Sequence, residues 1–296
     1  MFASKNLKGT GVAIVTPFTT DGFVDFAGLK RLIQHLIKGK VDYLVVLGTT
    51  GETVTLSELE KKEIIDFTVK QVGGKIPLVL GLGGNNTIEI VQKLKSTDLK
   101  AFSAILSVSP YYNKPSQEGI FRHYELIAKN SPLPIILYNV PGRTSSNLTA
   151  ETTLRLANNF KNIIGIKEAS GNVEQCMKII KNRPKDFLVI SGDDNLTLPL
   201  LASGADGVIS VVANAWPKDF SEMVRCSLKG DFTKARKFHY KLFEITEQLF
   251  ADGNPGGIKF ALSQLKICGP SLRLPLVEPN SKVQDYLLKL MKSYSK

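Results

Sequence analysis

Ile163-Ile164-Gly165-Ile166-Lys167-Glu168 is an apolar run that closes on two charges. A half-exposed strand would alternate apolar and polar residues. This run does not, and it reads as a parallel strand covered on both faces. Seven more runs of this kind stand along the chain: Val12–Val15, Tyr43–Leu47, Pro77–Leu82, Ser103–Val108, Pro134–Tyr138, Phe187–Ile190 and Gly207–Val212. With Ile163–Lys167 among them, their starts lie 20 to 34 residues apart. A strand, its crossover helix and the turns between need about 30 residues, so the spacing predicts alternating strands and helices.

The intervening segments carry a helical period. Phe26, Leu29, Leu32, Ile33, Leu36 and Ile37 fall on one face. Ser57-Glu58-Leu59-Glu60 is a capping box, and Thr149 and Asn195 are expected N-caps. Eight such units over residues 10 to 228 suit an α/β (β/α)8 barrel better than an open doubly wound sheet. Beyond them only helical patterns remain, for example Val283, Leu287, Leu290, Met291 and Tyr294. The expected organisation is a barrel over residues 1–228 with a C-terminal helical extension over 229–296.

Composition narrows the class. Hydrophobic residues make up 43% and charged residues 22%, enough for a sizeable core and unlike a disordered chain. The net charge of +11 admits nucleic-acid binding, attraction of small anions, or a lysine-rich surface. The lysines are spread without a basic run, which favours the surface reading and no nucleic-acid partner. Cys176, Cys226 and Cys268 are far apart and odd in number, so neither a disulfide framework nor a zinc site is expected. His35, His123 and His239 are equally scattered. The N-terminal stretch has no apolar core of a secretory signal, and no run approaches the ~18 apolar residues of a membrane span. A cytoplasmic protein without membrane association is expected.

Barrel active sites form where strands end, in the βα loops. Strand 2 ends in Gly48-Thr49-Thr50-Gly51-Glu52, strand 4 in Ser109-Pro110-Tyr111-Tyr112-Asn113, and strand 5 in Tyr138-Asn139-Val140-Pro141-Gly142-Arg143. Lys167 ends strand 6, Gly192 follows strand 7, and Ile209 lies in strand 8. A lysine taken out of water gives up its proton more readily, attacks a carbonyl and forms an iminium that accepts electrons. The alternative for Lys167 is a snorkelling amine paired with Glu168. Tyr138 stands 29 residues before Lys167, one βα repeat, so the two strand ends should be neighbours. Its phenol can move protons or merely pack. The double-Thr turn suits a small carboxylate, and the fork of Arg143 suits another; a capped turn and a surface ion pair are the plain alternatives. Together these residues form a carbonyl-chemistry set that requires neither metal nor cofactor.

The ordered motifs GTTGE (48–52), PYYNKPSQEG (110–119), YNVPGRT (138–144), GIKEASGN (165–172), SGDD (191–194) and GVISV (207–211) resemble the dihydrodipicolinate synthase/N-acetylneuraminate lyase family of class I aldolases. The resemblance runs from about Gly9 through the helical tail. It implies that Lys167 forms a Schiff base with pyruvate and that Tyr138 donates and accepts protons. It implies a relay completed by Thr49 and by Tyr112, the latter reaching in from a neighbouring subunit. Thr50 would hold the pyruvate carboxylate, with Gly192 and the backbone of Ile209 lining the same site. Members with an arginine at the place of Arg143 use it on the carboxylate of L-aspartate-4-semialdehyde, giving 4-hydroxy-tetrahydrodipicolinate on the diaminopimelate and lysine branch. The alternatives are a pyruvate-dependent aldolase acting on a sugar acid, or a non-catalytic ligand-binding barrel. The resemblance also implies a homotetramer built as a dimer of dimers. Asn85, Glu89 and Tyr111 match positions that bind lysine in inhibited members; Thr53 and Val54 match weakly, and Glu58 departs. Two further departures are Ser145, where glycine is frequent, and Asn254-Pro255-Gly256-Gly257, which is expected to affect packing more than chemistry.

Overall fold

A computed structural model describes residues 7–294. Met1–Asn6, on which the reading of the N-terminus partly rests, and the last two residues lie outside that range. Eight parallel strands close into a barrel in chain order: β1 (Gly9–Ala13), β2 (Tyr43–Val46), β3 (Leu78–Gly81), β4 (Ala104–Val108), β5 (Ile135–Asn139), β6 (Ile163–Glu168), β7 (Leu188–Ser191) and β8 (Gly207–Ser210). Side chains alternate between two apolar clusters. Tyr43, Val45, Val79, Leu106, Ile136 and Ile190 fill the barrel. Leu44, Val46, Leu80, Ile105, Leu137 and Val189, each one residue away, pack under the surrounding helices. Both faces are dry, which is why the strands read as unbroken apolar runs.

The first strand differs from its sequence reading. It starts at Gly9, pairs with Gly207 of β8, and ends at Ala13. The stretch Gly9-Thr10-Gly11 offers no apolar side chains, so the pattern placed the strand three residues late. Ser57 forms the expected capping box with Glu60, and Thr149 caps the helix Ala150–Asn159. Asn195 does not cap. Asp193 Oδ1 accepts from the N–H groups of Asn195 and Leu196 at 3.1 and 3.3 Å instead, because its carboxylate reaches the start of Thr197–Ala202 from further upstream.

The tail forms three helices, Phe232–Phe250, Gly256–Gln264 and Ser281–Tyr294. The last closes onto the helix after β8, Pro217–Leu228. Tyr294 stacks edge-on against Trp216 and donates from its hydroxyl to Asp219 at 2.6 Å. The connection between the first two helices runs back to the mouth of the barrel. Cys176, Cys226 and Cys268 are buried free thiols. Among the described residues no helix is long and apolar enough to cross a membrane.

Two buried titratable groups act oppositely on stability. Burial lifts the Asp194 carboxyl from 3.8 to about 6. Burial pulls His123 from 6.5 down to about 4. The folded state holds the Asp194 proton longer than the unfolded chain does, so this group makes stability fall as pH rises from 3.8 to about 6. The folded state refuses the His123 proton, so this group makes stability fall as pH drops from 6.5 toward about 4. Each contributes about 3 kcal/mol at most across its window. Asp194→Asn should therefore steepen the loss of stability on acidification, and His123→Gln should flatten or reverse it. Urea unfolding between pH 4 and pH 7 reads those slopes; parallel profiles for wild type and both variants would contradict the assignment.

Candidate active site

The orientation of Lys167 depends on an irregularity in β6. Ile135 of β5 pairs with Ile163, but Ile136 pairs with Gly165, leaving Ile164 as an extra residue. Ile163 packs under the helices and Ile164 inside the barrel. Simple alternation from Ile163 would send Lys167 outward. The bulge shifts the phase by one, so Ile166 faces the helices and Lys167 faces the barrel mouth. Gly165 permits this. A Cβ there would stand 2.8 Å from both the Cβ and the carbonyl oxygen of Leu188.

Lys167 and Glu168 accordingly point to opposite sides. Glu168 accepts from the Ser170 N–H and from the Asn139 and Gln175 amides, away from the cavity. Among the described residues no carboxylate pairs with Lys167, so the ion-pair alternative is overturned. Lys167 is 6% exposed. Its Nζ lies 4.3 Å from the centroid of the Tyr138 ring, and the two residues are register partners across β5 and β6. This is the neighbour relation that the one-repeat spacing predicted.

A cavity of about 930 Å³ opens above this pair and brings Thr49, Tyr138, Arg143 and Lys167 together. Gly192, after β7, packs against the lysine stem. Its N–H donates to the Glu168 carbonyl at 2.7 Å, and a Cβ on it would stand 3.0 Å from Lys167 Cε. Any larger residue would therefore press on the lysine stem. Ile209 is buried in the barrel interior and pairs with Gly11. The following residue, Ser210, donates to Asp194, whose carboxylate also accepts from the Val211 and Val212 N–H groups.

The double-Thr turn is a short 3-10 segment, Thr49–Gly51, followed by Glu52 in the left-handed region at φ 52°. The tail holds it. Asn254 Nδ2 donates to Thr50 Oγ1 at 3.0 Å, and the Asn254 carbonyl accepts from Arg143 Nη2 at 3.3 Å. Asn254, in the segment expected to affect packing more than chemistry, thus bridges two expected carboxylate binders. Glu52 is buried against Lys259 and also accepts from the Arg273 N–H. Burial pulls the Lys259 amine below its ordinary range despite that carboxylate. Arg273 pairs with Glu60, holding its carboxyl at about 2. Sequence reasoning named Asn254 without these contacts and missed Lys259 and Arg273. Their partners Thr50, Glu52 and Glu60 lie 204, 207 and 213 residues away, and no periodicity links them.

The sequence profile of the Dihydrodipicolinate synthetase family matches residues 6–294. The chain belongs to that family. A 4-hydroxy-tetrahydrodipicolinate synthase of Flavobacterium psychrophilum is 53% identical over 288 residues, covering 97% of this chain and 98% of that protein. A solved structure described as a monomeric dihydrodipicolinate synthase variant superposes with TM-score 0.96 at 38% identity, covering 99% of each chain. Another, a dihydrodipicolinate synthase from Acinetobacter baumannii described as complexed with pyruvate, superposes with TM-score 0.94 at 38% identity, covering 97% of this chain and 99% of that one.

Not every expected residue of this dihydrodipicolinate synthetase family member enters the cavity. Tyr112 is 88% exposed and sits at φ 72°, a conformation costly for a bulky side chain. Tyr111, Thr53, Val54 and Glu58 line the outer part of the same cavity. Asn85 is tied to this rim, donating to the Tyr111 carbonyl at 3.1 Å. Glu89 is occupied by Lys93 at 3.1 Å. Among the described residues no His, Cys, Asp and Glu cluster is arranged to hold a metal.

Proposed function

We propose that this chain condenses pyruvate with L-aspartate-4-semialdehyde to 4-hydroxy-tetrahydrodipicolinate, with Lys167 as the nucleophile. The observation that carries the reading is the Lys167–Tyr138 pair, an inward amine with no carboxylate partner among the described residues, beside a phenol at the cavity floor. Lys167 Nζ attacks the ketone carbon of pyruvate; loss of water leaves an iminium. Loss of a methyl proton turns it into an enamine, whose carbon attacks the aldehyde and forms the new C–C bond. The amine of the second substrate then displaces Lys167 Nζ and closes the ring, so one water leaves overall. Tyr138 is assigned the proton transfers of the first and last steps. Thr50 is assigned to the pyruvate carboxylate and Arg143 to that of the semialdehyde, with Gly192 and the Ile209 backbone lining the pyruvate site. Thr49 and Tyr112 extend the relay.

The exposed, strained Tyr112 favours assembly. A side chain that cannot reach its own cavity fits one supplied to a neighbour, in a homotetramer built as a dimer of dimers. The rim formed by Asn85, Glu89 and Tyr111 is assigned to lysine. The reading carries with it a cytoplasmic site for the reaction. Borohydride treatment of the pyruvate-loaded protein tests the central claim. One reduced pyruvyl group should appear on the Lys167 peptide by mass spectrometry, and an adduct elsewhere or none at all would refute it.

A further inference from the structure

The Schiff-base mechanism uses Lys167 and leaves its neighbour Glu168 unexplained. Glu168 is a buried carboxylate, 2% exposed, and both of its oxygens accept hydrogen bonds. Oε1 receives the Ser170 N–H at 2.8 Å and Asn139 Nδ2 at 3.0 Å. Oε2 receives Gln175 Nε2 at 2.8 Å and Asn139 Nδ2 at 3.1 Å. Every partner is a donor, so the carboxylate sets the direction of both amides.

Those two amides grip a loop. Asn139 Oδ1 accepts from the Leu148 N–H at 2.9 Å, and its Nδ2 also donates to Asn147 Oδ1 at 2.8 Å. Gln175 accepts from Asn147 Nδ2 at 2.9 Å and donates to the Leu148 carbonyl at 3.2 Å. The segment from Val140 to Leu148 leaves β5 after Asn139 and is tied back at its far end to Asn139 and to Gln175 of the helix Val173–Asn182. It carries Arg143, which is itself exposed. Lys167 needs none of this, because β6 pairs with β5 and β7 through its backbone on both sides of that residue.

We propose that Glu168 is a positioning residue for the second substrate, acting through Asn139, Gln175 and Asn147 on the Arg143 loop. This rests on the assignment of Lys167 and Arg143 above. In Glu168→Gln an amide N–H must face donors, and the loop loses its anchor with little change in side-chain volume. KM for aspartate semialdehyde should rise about 10-fold, while borohydride trapping of pyruvate on Lys167 stays within about twofold of wild type. Asn147→Ala loosens the same loop from its partly exposed side and should give the same split. It keeps the test available should Glu168→Gln misfold. In the double variant the KM change should be no larger than in the more affected single variant, because both act through one network. Unchanged KM in both singles, equal losses in trapping and turnover, or additive effects in the double would overturn the proposal. Failure of trapping in the wild type would instead refute the Lys167 reading, so the two failures are distinguishable.

Discussion

Lys167→Ala should lower kcat/KM by about 10⁴-fold or more, close to 5 kcal/mol of transition-state stabilisation, and leave no borohydride-trappable pyruvate. The size follows from chemistry. The covalent route splits a difficult carbon–carbon bond formation into steps driven by the iminium, and without the amine there is no electron sink. Among the described residues no other lysine lines the cavity beside Tyr138; its other lining lysines, Lys61, Lys62 and Lys93, stand on the helices after β2 and β3. Lys167→Arg should be as inactive, because a guanidinium stays protonated and cannot attack. Neither change removes a carboxylate partner, so a buried charge is not orphaned and thermal stability should hold or rise slightly. A folded Lys167→Ala protein retaining more than about 1% of turnover would contradict covalent catalysis here.

How much of this was legible in the sequence follows from the range of the interactions. The barrel was legible because buried parallel strands impose unbroken apolar runs at a regular spacing, and β6 with its Lys167 terminus is one of them. The adjacency of Tyr138 and Lys167 was legible for the same reason, since one repeat separates neighbouring strand ends. The direction in which Lys167 faces was not. A bulge of one residue at Ile164 inverts the answer that alternation gives, and Ile163-Ile164-Gly165-Ile166 contains no polar residue to reveal it. Also hidden was the second layer around the site. Asn254 meets Thr50, and Lys259 meets Glu52, only because the tail crosses back to the mouth after the barrel has closed. Glu168 looked like the partner of Lys167 when read along the chain; the pleat sends it to the opposite face.

The other large effect is expected at Arg143. Arg143→Leu should reduce kcat/KM for aspartate semialdehyde by roughly 10²-fold, near 3 kcal/mol, the range for losing a charge-assisted hydrogen-bonding fork to a substrate carboxylate. Pyruvate trapping on Lys167 should change by no more than about twofold. The separation has a structural basis. Arg143 lies on the short segment Pro141–Thr144 beyond β5, and its Nη2 is engaged by the Asn254 carbonyl, which leaves the rest of the fork toward the cavity. The contacts proposed for pyruvate lie elsewhere, on the Thr50 turn and at Gly192 against the lysine stem. Arg143→Lys keeps the charge but not the fork, so it should fall between wild type and the leucine variant. Equal losses of trapping and turnover in Arg143→Leu would mean that the arginine serves the pyruvate end or the fold. The second carboxylate would then lack a binder, and a sugar-acid acceptor would become the better reading of the same Schiff-base site.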